Sequence, residues 1–79
     1  MRVRLRFFAA LREQMGASAE RVVPSGTTVG ALWSALVAER RALAGIPVRF
    51  AVNETYVGVS HRLADGDELA VFPPVSGGV

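Results

Sequence analysis

Thr28-Val29-Gly30-Ala31-Leu32-Trp33-Ser34-Ala35-Leu36-Val37-Ala38-Glu39-Arg40-Arg41-Ala42-Leu43 is the stretch that decides the fold. Val29, Leu32, Trp33 and Leu36 recur at i, i+3, i+4 and i+7, and Leu43 stands a heptad beyond Leu36. That spacing lays one apolar stripe along a helix and leaves the other faces to solvent. Thr28 is placed to cap it, because its hydroxyl can accept from a first-turn N–H that has no helical partner. Arg40 and Arg41 fall in the expected last turns, where cations suit the helix dipole. Gly45 and Pro47 end the element. A helix with one apolar stripe must bury it against a second layer.

The flanking sequence supplies that layer as strands. Upstream, Arg2, Arg4 and Arg6 alternate with Val3, Leu5 and Phe7. Strict period two predicts a half-buried strand, and Phe8 continues the pattern onto the Arg face. Ala9 to Met15 are strong helix formers closed by Gly16, a helix of about two turns with Leu11 and Met15 on one side. Glu20-Arg21-Val22-Val23 reads as a strand, and Pro24 at its end puts it at a sheet edge. Downstream, Val48 to Val52 forms a strand with Val48, Phe50 and Val52 inward. Asn53-Glu54-Thr55 turns the chain, and Tyr56-Val57 begins a short fourth strand. Leu63, alone in a polar loop, plugs the core. Asp65-Gly66-Asp67 is a tight turn. Glu68 to Phe72 is the last strand, with Leu69 and Val71 inward, and Pro73-Pro74 stops further pairing because neither has an N–H to donate.

The order β, short α, β, long α, β, β, β predicts an α+β fold. It is a ubiquitin-like β-grasp, a mixed sheet of four to five strands packed on one long helix plus a short helix. The first and last strands lie parallel at its centre, and Trp33 and Leu36 face Val3, Leu5, Phe7, Leu69 and Val71. The boundaries expected are a β-grasp domain over 1–72 and an extended tail over 73–79.

Composition narrows the chemistry. Seventy-nine residues, 51% hydrophobic and 20% charged, suit one globular domain. Such a domain holds a small core but no deep cleft. There is no cysteine, so disulfides, thiolate metal sites and a thiol nucleophile are excluded. All nine basic residues are Arg, so no side chain can form a Schiff base or accept another protein on an amine. A net charge of +2 does not call for a nucleic-acid partner. No apolar run is long enough to span a membrane, and the N-terminus lacks the apolar core of a signal peptide, so a cytoplasmic location is expected.

Candidate catalytic groups are few. His61 is the only histidine and lies in a polar loop. Asp65, Asp67 and Glu68 lack calcium-loop spacing and read as a turn. No Gly-rich phosphate loop follows a strand and opens a helix, and neither Ser60 nor Ser76 has a credible base nearby in sequence. The tail Pro73-Pro74-Val75-Ser76-Gly77-Gly78-Val79 is different. Paired prolines are stiff and extended. The six residues Pro73 to Gly78 could reach roughly 20 Å. Gly77 and Gly78 remove every side chain near the end, as a backbone threading a narrow channel requires.

Ala51-Val52-Asn53, Leu63 to Phe72 with its Asp65-Gly66-Asp67-Glu68 turn, and Pro73 to Gly78 resemble the MoaD family of sulfur-carrier β-grasp proteins, the small subunits of molybdopterin synthases. Phe7-Phe8-Ala9-Ala10-Leu11-Arg12-Glu13 and Thr28-Val29 are similar to the same family, so the resemblance covers essentially the whole chain. It implies that the chain is not an enzyme on its own and binds no cofactor. An ATP-dependent partner adenylates the carboxyl of Gly78, and sulfur is loaded there as a thiocarboxylate. The tail then enters the large synthase subunit, within a heterotetramer, and donates sulfur to a pyranopterin precursor of the molybdenum cofactor. Catalytic side chains belong to the partners. In the family the second glycine is last, whereas Val79 follows here. Removal of Val79, an inactive carrier, or a residue foreign to the natural chain are the open readings.

The same registers predict a partner surface. Phe8 and Phe72 end on the outward face and, with Ala51, Ala70 and Pro73, form an exposed apolar patch flanked by Arg4, Arg6 and Arg49. The alternatives are a carrier for thiamine or tRNA thiolation, a ubiquitin-like protein modifier, or a β-grasp binding module without acyl chemistry.

Overall fold

The computed structural model describes residues 1–74. The elements are β1 (Arg2–Phe7), α1 (Ala10–Met15), β2 (Ser18–Val22), α2 (Val29–Glu39), a 3-10 turn (Arg41–Leu43), β3 (Arg49–Val52), β4 (Thr55–Val57) and β5 (Glu68–Phe72). They build one five-stranded sheet in the order β2-β1-β5-β3-β4. β1 and β5 run parallel at the centre, in the register Leu5 to Leu69 and Phe7 to Val71. The remaining pairs are antiparallel. This is the ubiquitin-like β-grasp that the element order predicts, with five strands.

Alternation in β1 sets the two faces. Val3, Leu5 and Phe7 are buried, while Arg2, Arg4 and Arg6 are exposed. Leu69 and Val71 from β5 and Phe50 and Val52 from β3 join the inner face. α2 lays Val29, Leu32 and Leu36 on it, and Leu11, Leu43 and Leu63 complete the cluster.

The long helix is shorter than its sequence suggests. It ends at Glu39, and Arg40 is extended (φ −137°, ψ 96°), so Arg40 and Arg41 do not occupy its last turn. A continued helix would carry Leu43 about 10 Å along the axis past Leu36. The break lets the 3-10 turn fold back against α1 and bury Leu43. Trp33 stands at the margin of the stripe, half-buried, meeting Phe50 edge-on at 6.0 Å. Leu32 and Leu36 hold the centre of the stripe instead. β2 starts at Ser18, two residues before the predicted strand, because Ser18 and Ala19 still pair with Arg6 and Leu5. β3 starts at Arg49, leaving Val48 half-buried against the core.

The start of α2 is capped from two directions. The Thr28 hydroxyl accepts from the Ala31 N–H at 3.1 Å, as expected. The loop before Leu63 supplies the other acceptors: Val29 N–H donates to the His61 carbonyl at 2.9 Å and Gly30 N–H to the Val59 carbonyl at 2.9 Å. Gly30 permits this approach, because a Cβ there would stand 3.0 Å from the Val59 Cβ. Leu63 N–H donates to the Thr27 carbonyl at 2.9 Å, which seats Leu63 in the core.

The Asp65-Gly66-Asp67 segment is a turn whose side chains are spent on backbone. Asp65 Oδ1 accepts from Arg2 N–H at 2.7 Å, and Asp67 Oδ2 accepts from Ala64 N–H at 2.8 Å. Asp67 Oδ1 accepts from the Asn53 amide at 2.9 Å, and Asn53 Oδ1 accepts from Glu68 N–H at 3.0 Å. Asn53 and Glu54 both have positive φ, 49° and 71°. That is the geometry of a two-residue hairpin turn between Val52 and Thr55.

Leu36 is fully buried at the centre of this core. Leu36→Ala is expected to lower stability by about 2–5 kcal/mol, most of what a domain this small possesses. Denaturant unfolding measures it; a near-neutral result would mean that the stripe of α2 faces elsewhere.

Candidate functional site

The face of the sheet turned away from α2 carries the predicted surface. Its outward positions follow from the registers. β2 contributes Ser18, Glu20 and Val22 opposite Arg6, Arg4 and Arg2 of β1. Arg4 and Arg6 lie beside Glu68 and Ala70 of β5. Ala70 and Phe72 face Ala51 and Arg49 of β3, and Ala51 faces Tyr56 of β4. Because β1 and β5 are parallel neighbours, Phe8 and Phe72 emerge at the same end of the sheet. Pro73, half-buried, and Pro74, exposed, leave from that end. The remaining predicted site residues, Val75, Ser76, Gly77 and Gly78, lie with Val79 outside the described residues.

The aromatic residues give this end its shape. Strands two apart in a sheet are separated by about 10 Å. The Tyr56 and Phe72 rings, on strands either side of β3, have centroids only 5.7 Å apart. Both therefore lean inward over β3. Ala51 lies beneath them, 5% exposed, which corrects the expectation that it forms part of the exposed patch. It is the floor of the patch, and its small size lets the rings close above it. Phe8 remains 38% exposed, as expected for an outward position, with the Arg6 guanidinium 5.5 Å from its ring centre. Such a contact is worth about 0.5–1 kcal/mol at an exposed site and orients the guanidinium toward the apolar end.

The flanking charges divide. Arg6 and Arg49 border the apolar end directly. Arg4 lies one outward position further from the tail, in a depression of about 210 Å³ lined by Arg2, Arg4, Glu20, Asp65, Gly66 and Glu68. The sequence reading took these arginines as a basic border and omitted the acids among them. Arg6 meets Glu68 at 3.9 Å and Arg2 meets Glu20 at 4.0 Å. These pairs are solvated and add little stability, but they make the far end of the face mixed in sign. Tyr56, 73% exposed, is the other omission. Its signal was present: a two-residue turn at Asn53-Glu54 sets Tyr56 opposite Ala51 and so on the Arg face.

Among the described residues, no polar or charged side chain is buried and no group of three could hold a metal ion. No helix is long and apolar enough to cross a membrane. Strong perturbation of a catalytic group needs desolvation or a charged partner. On this face the charged pairs stay solvated and no polar side chain is buried, and apolar rings with a mixed-charge border are the chemistry of a docking surface.

Phe72→Ala separates docking surface from core. Phe72 is half-buried on the outer face, so its loss is expected to cost about 1–2 kcal/mol, clearly less than Leu36→Ala. Unfolding curves of the two variants side by side give the comparison; equal losses would make Phe72 a core residue.

Comparison with known proteins adds a relationship to this geometry. The family described as the ThiS family matches residues 5–78. The chain is 41% identical to the molybdopterin synthase sulfur carrier subunit of Escherichia coli, over 96% of this chain and 99% of that one. It superposes on the crystal structure of small archaeal modifier protein 1 from Haloferax volcanii with a TM-score of 0.82 and 29% identity, covering 94% of this chain and 98% of that one. It also matches a chain in the complex of subunits 1 and 2 of the molybdopterin-converting factor from Helicobacter pylori. There the TM-score is 0.70 and the identity 25%, covering 99% of this chain and 100% of that one.

Proposed function

The chain belongs to the ThiS family, and from that premise we propose that it is the sulfur-carrying small subunit of a molybdopterin synthase. The observation that carries this reading is its end-to-end likeness to the Escherichia coli carrier subunit. The Helicobacter pylori complex supports a large subunit as the partner. The outer face then docks on that subunit or on the activating enzyme. Phe8, Phe72 and Tyr56 supply apolar contact, while Arg6 and Arg49 meet acidic groups of the partner.

The chemistry takes place at the main-chain terminus. Once hydrolysis of the Gly78–Val79 peptide bond has removed Val79, the freed Gly78 carboxylate attacks the α-phosphorus of ATP in an ATP-dependent activating enzyme, and pyrophosphate leaves. A sulfur donor then displaces AMP from the acyl carbon, leaving a thiocarboxylate. On the large subunit the thiocarboxylate sulfur bonds to a pyranopterin precursor, and water then cleaves the acyl C–S bond, leaving the sulfur on the precursor and restoring the carboxylate for another cycle. The carrier contributes reach, a side-chain-free end and a docking face. It needs no bound cofactor and no reactive side chain, and the catalytic side chains reside on the partners.

A protein modifier is the second reading, favoured by the likeness to the Haloferax volcanii modifier. Both readings begin with adenylation and part at the acceptor, sulfur transfer to a small molecule against amide formation with an amine. Loading the chain with activating enzyme, ATP and sulfide, then adding the large subunit and precursor, tests the first. Thiocarboxylate formation followed by dithiolene product is the expected result. Transfer of the carrier to protein amines instead would favour the second.

Two outcomes are expected of variants. Phe72→Ala should weaken partner binding by about 2 kcal/mol or more, as loss of an aromatic anchor does; calorimetry reads it, and unchanged affinity would remove Phe72 from the interface. A chain ending at Gly78 should be thiocarboxylated far better than one ending at Val79. The extra residue displaces the carboxyl by up to about 3.5 Å and adds a β-branched side chain, and misplacement by about 1 Å can cost a hundredfold in rate. Intact-mass spectrometry follows the exchange of one oxygen for sulfur; efficient loading on Val79 would overturn the assignment of Gly78.

A further inference from the structure

An activated acyl terminus reacts with the nucleophiles around it, and at working concentration many of those belong to other copies of the same chain. The composition and the placement of the α-amine bear on this. None of the 79 residues is Lys or Cys, and every basic side chain is Arg. A guanidinium stays protonated and has no lone pair to offer. Hydroxyls attack only with help from a base. Among the described residues the hydroxyls of Thr27 and Thr28 are hydrogen-bonded to backbone groups instead.

An α-amine at Met1 is tied down by the fold. It donates to the Val23 carbonyl at 2.7 Å and is part-buried, while Val23 N–H donates back to the Met1 carbonyl at 2.8 Å. This pair extends the β1–β2 ladder beyond Arg2 and Val22. It also lies at the wrong end of the sheet for attack from within. β1 and β5 are parallel, so Met1 stands about 20 Å from the end at which Pro73 departs, six residues of extended strand. The tail from Pro73 to Gly78 spans at most about 20 Å when straight, and reaching Met1 would require it to reverse first.

We propose that this chain is an acyl donor that cannot serve as its own acceptor. The activated terminus survives contact with its own copies and reacts only with what a partner presents. The inference rests on the acyl-activation reading above. The reaction it excludes is aminolysis: an amine nitrogen bonds to the acyl carbon, the bond from that carbon to its leaving group breaks, and the amine loses a proton. Under the modifier reading the consequence is sharper, since a copy already attached to a target offers no side-chain amine on which a second copy could be built.

The experiment uses chemical activation, so that it does not depend on an activating enzyme. The full chain, and a version ending at Gly78, are prepared with the terminal carboxyl as an alkyl thioester and held at high concentration. Intact-mass spectrometry follows hydrolysis against covalent dimer. Arg12→Lys and Arg41→Lys place an amine on exposed positions outside the docking face. A Lys side chain is deprotonated about 100-fold more often than Arg at a given pH. The Lys variants are therefore expected to give at least about tenfold more dimer than the parent chain. Addition of a lysine-containing peptide should consume the parent thioester equally well, showing that it is reactive. Dimer from the parent at the rate of the Lys variants, or joined through Met1, would overturn the proposal, as would Lys variants that form no more dimer than the parent. Failure of adenylation by an activating enzyme would overturn the functional reading alone and leave this result standing.

Discussion

Parallel pairing of β1 with β5 is the constraint on which the rest of the structure depends. Two strands far apart in sequence meet in the middle of the sheet, and parallel strands require a crossover to connect them. α2 lies within that crossover and covers one face of the sheet. The pairing sends both strand ends the same way. Phe8 and Phe72 therefore surface together, and the two prolines leave from a strand paired on both sides. A tail attached there inherits a fixed point of departure. The opposite end of the same pair is tied by the Asp65-Gly66-Asp67 turn, whose carboxylates accept from Arg2 and Ala64. The turn that the sequence predicts there is tied to the start of β1 by backbone bonds as well, Gly66 N–H to the Arg2 carbonyl and Arg4 N–H to the Asp67 carbonyl.

Most of this was legible because the signals were periodic. Period two in Arg2–Phe7 and the four-residue stripe of α2 each identify one buried face without ambiguity, and two such faces leave few architectures. The misplaced details are non-local. Nothing local in Arg40 stops a helix. The chain breaks there because Leu43 has a better place against α1 than along the continued axis. Trp33 reads as central because it is large and apolar, yet its place around the helix, to one side of the arc of Val29, Leu32 and Leu36, leaves it at the margin, where Phe50 gives it an edge-on neighbour.

The outer face of the sheet was legible in outline and wrong in depth. Alternation correctly assigned Phe8, Ala70, Phe72 and the three arginines to one side. It could not say that Ala51 is covered, because burial on an open sheet face depends on side chains leaning across strands. That cover comes from Tyr56, and its place depends on a hairpin register set by the positive φ of Asn53 and Glu54. A turn read one residue longer moves Tyr56 to the other face. Glu20 and Glu68 were passed over for a simpler reason: attention to a basic border left out the acids interleaved with it.

The division of labour between this chain and its partners follows from size. A domain of 79 residues that buries its apolar side chains in a single layer between helix and sheet has no second interior in which to desolvate a catalytic group. On the proposed reading, reactive chemistry is exported to a place where another protein supplies the walls. A main-chain carboxyl at the end of a glycine pair suits that export, because it carries no side chain to exclude it from a narrow site. The same export leaves the body of the carrier free to be chemically inert. A domain without thiols or lysines can hold an activated end without offering it a side-chain target.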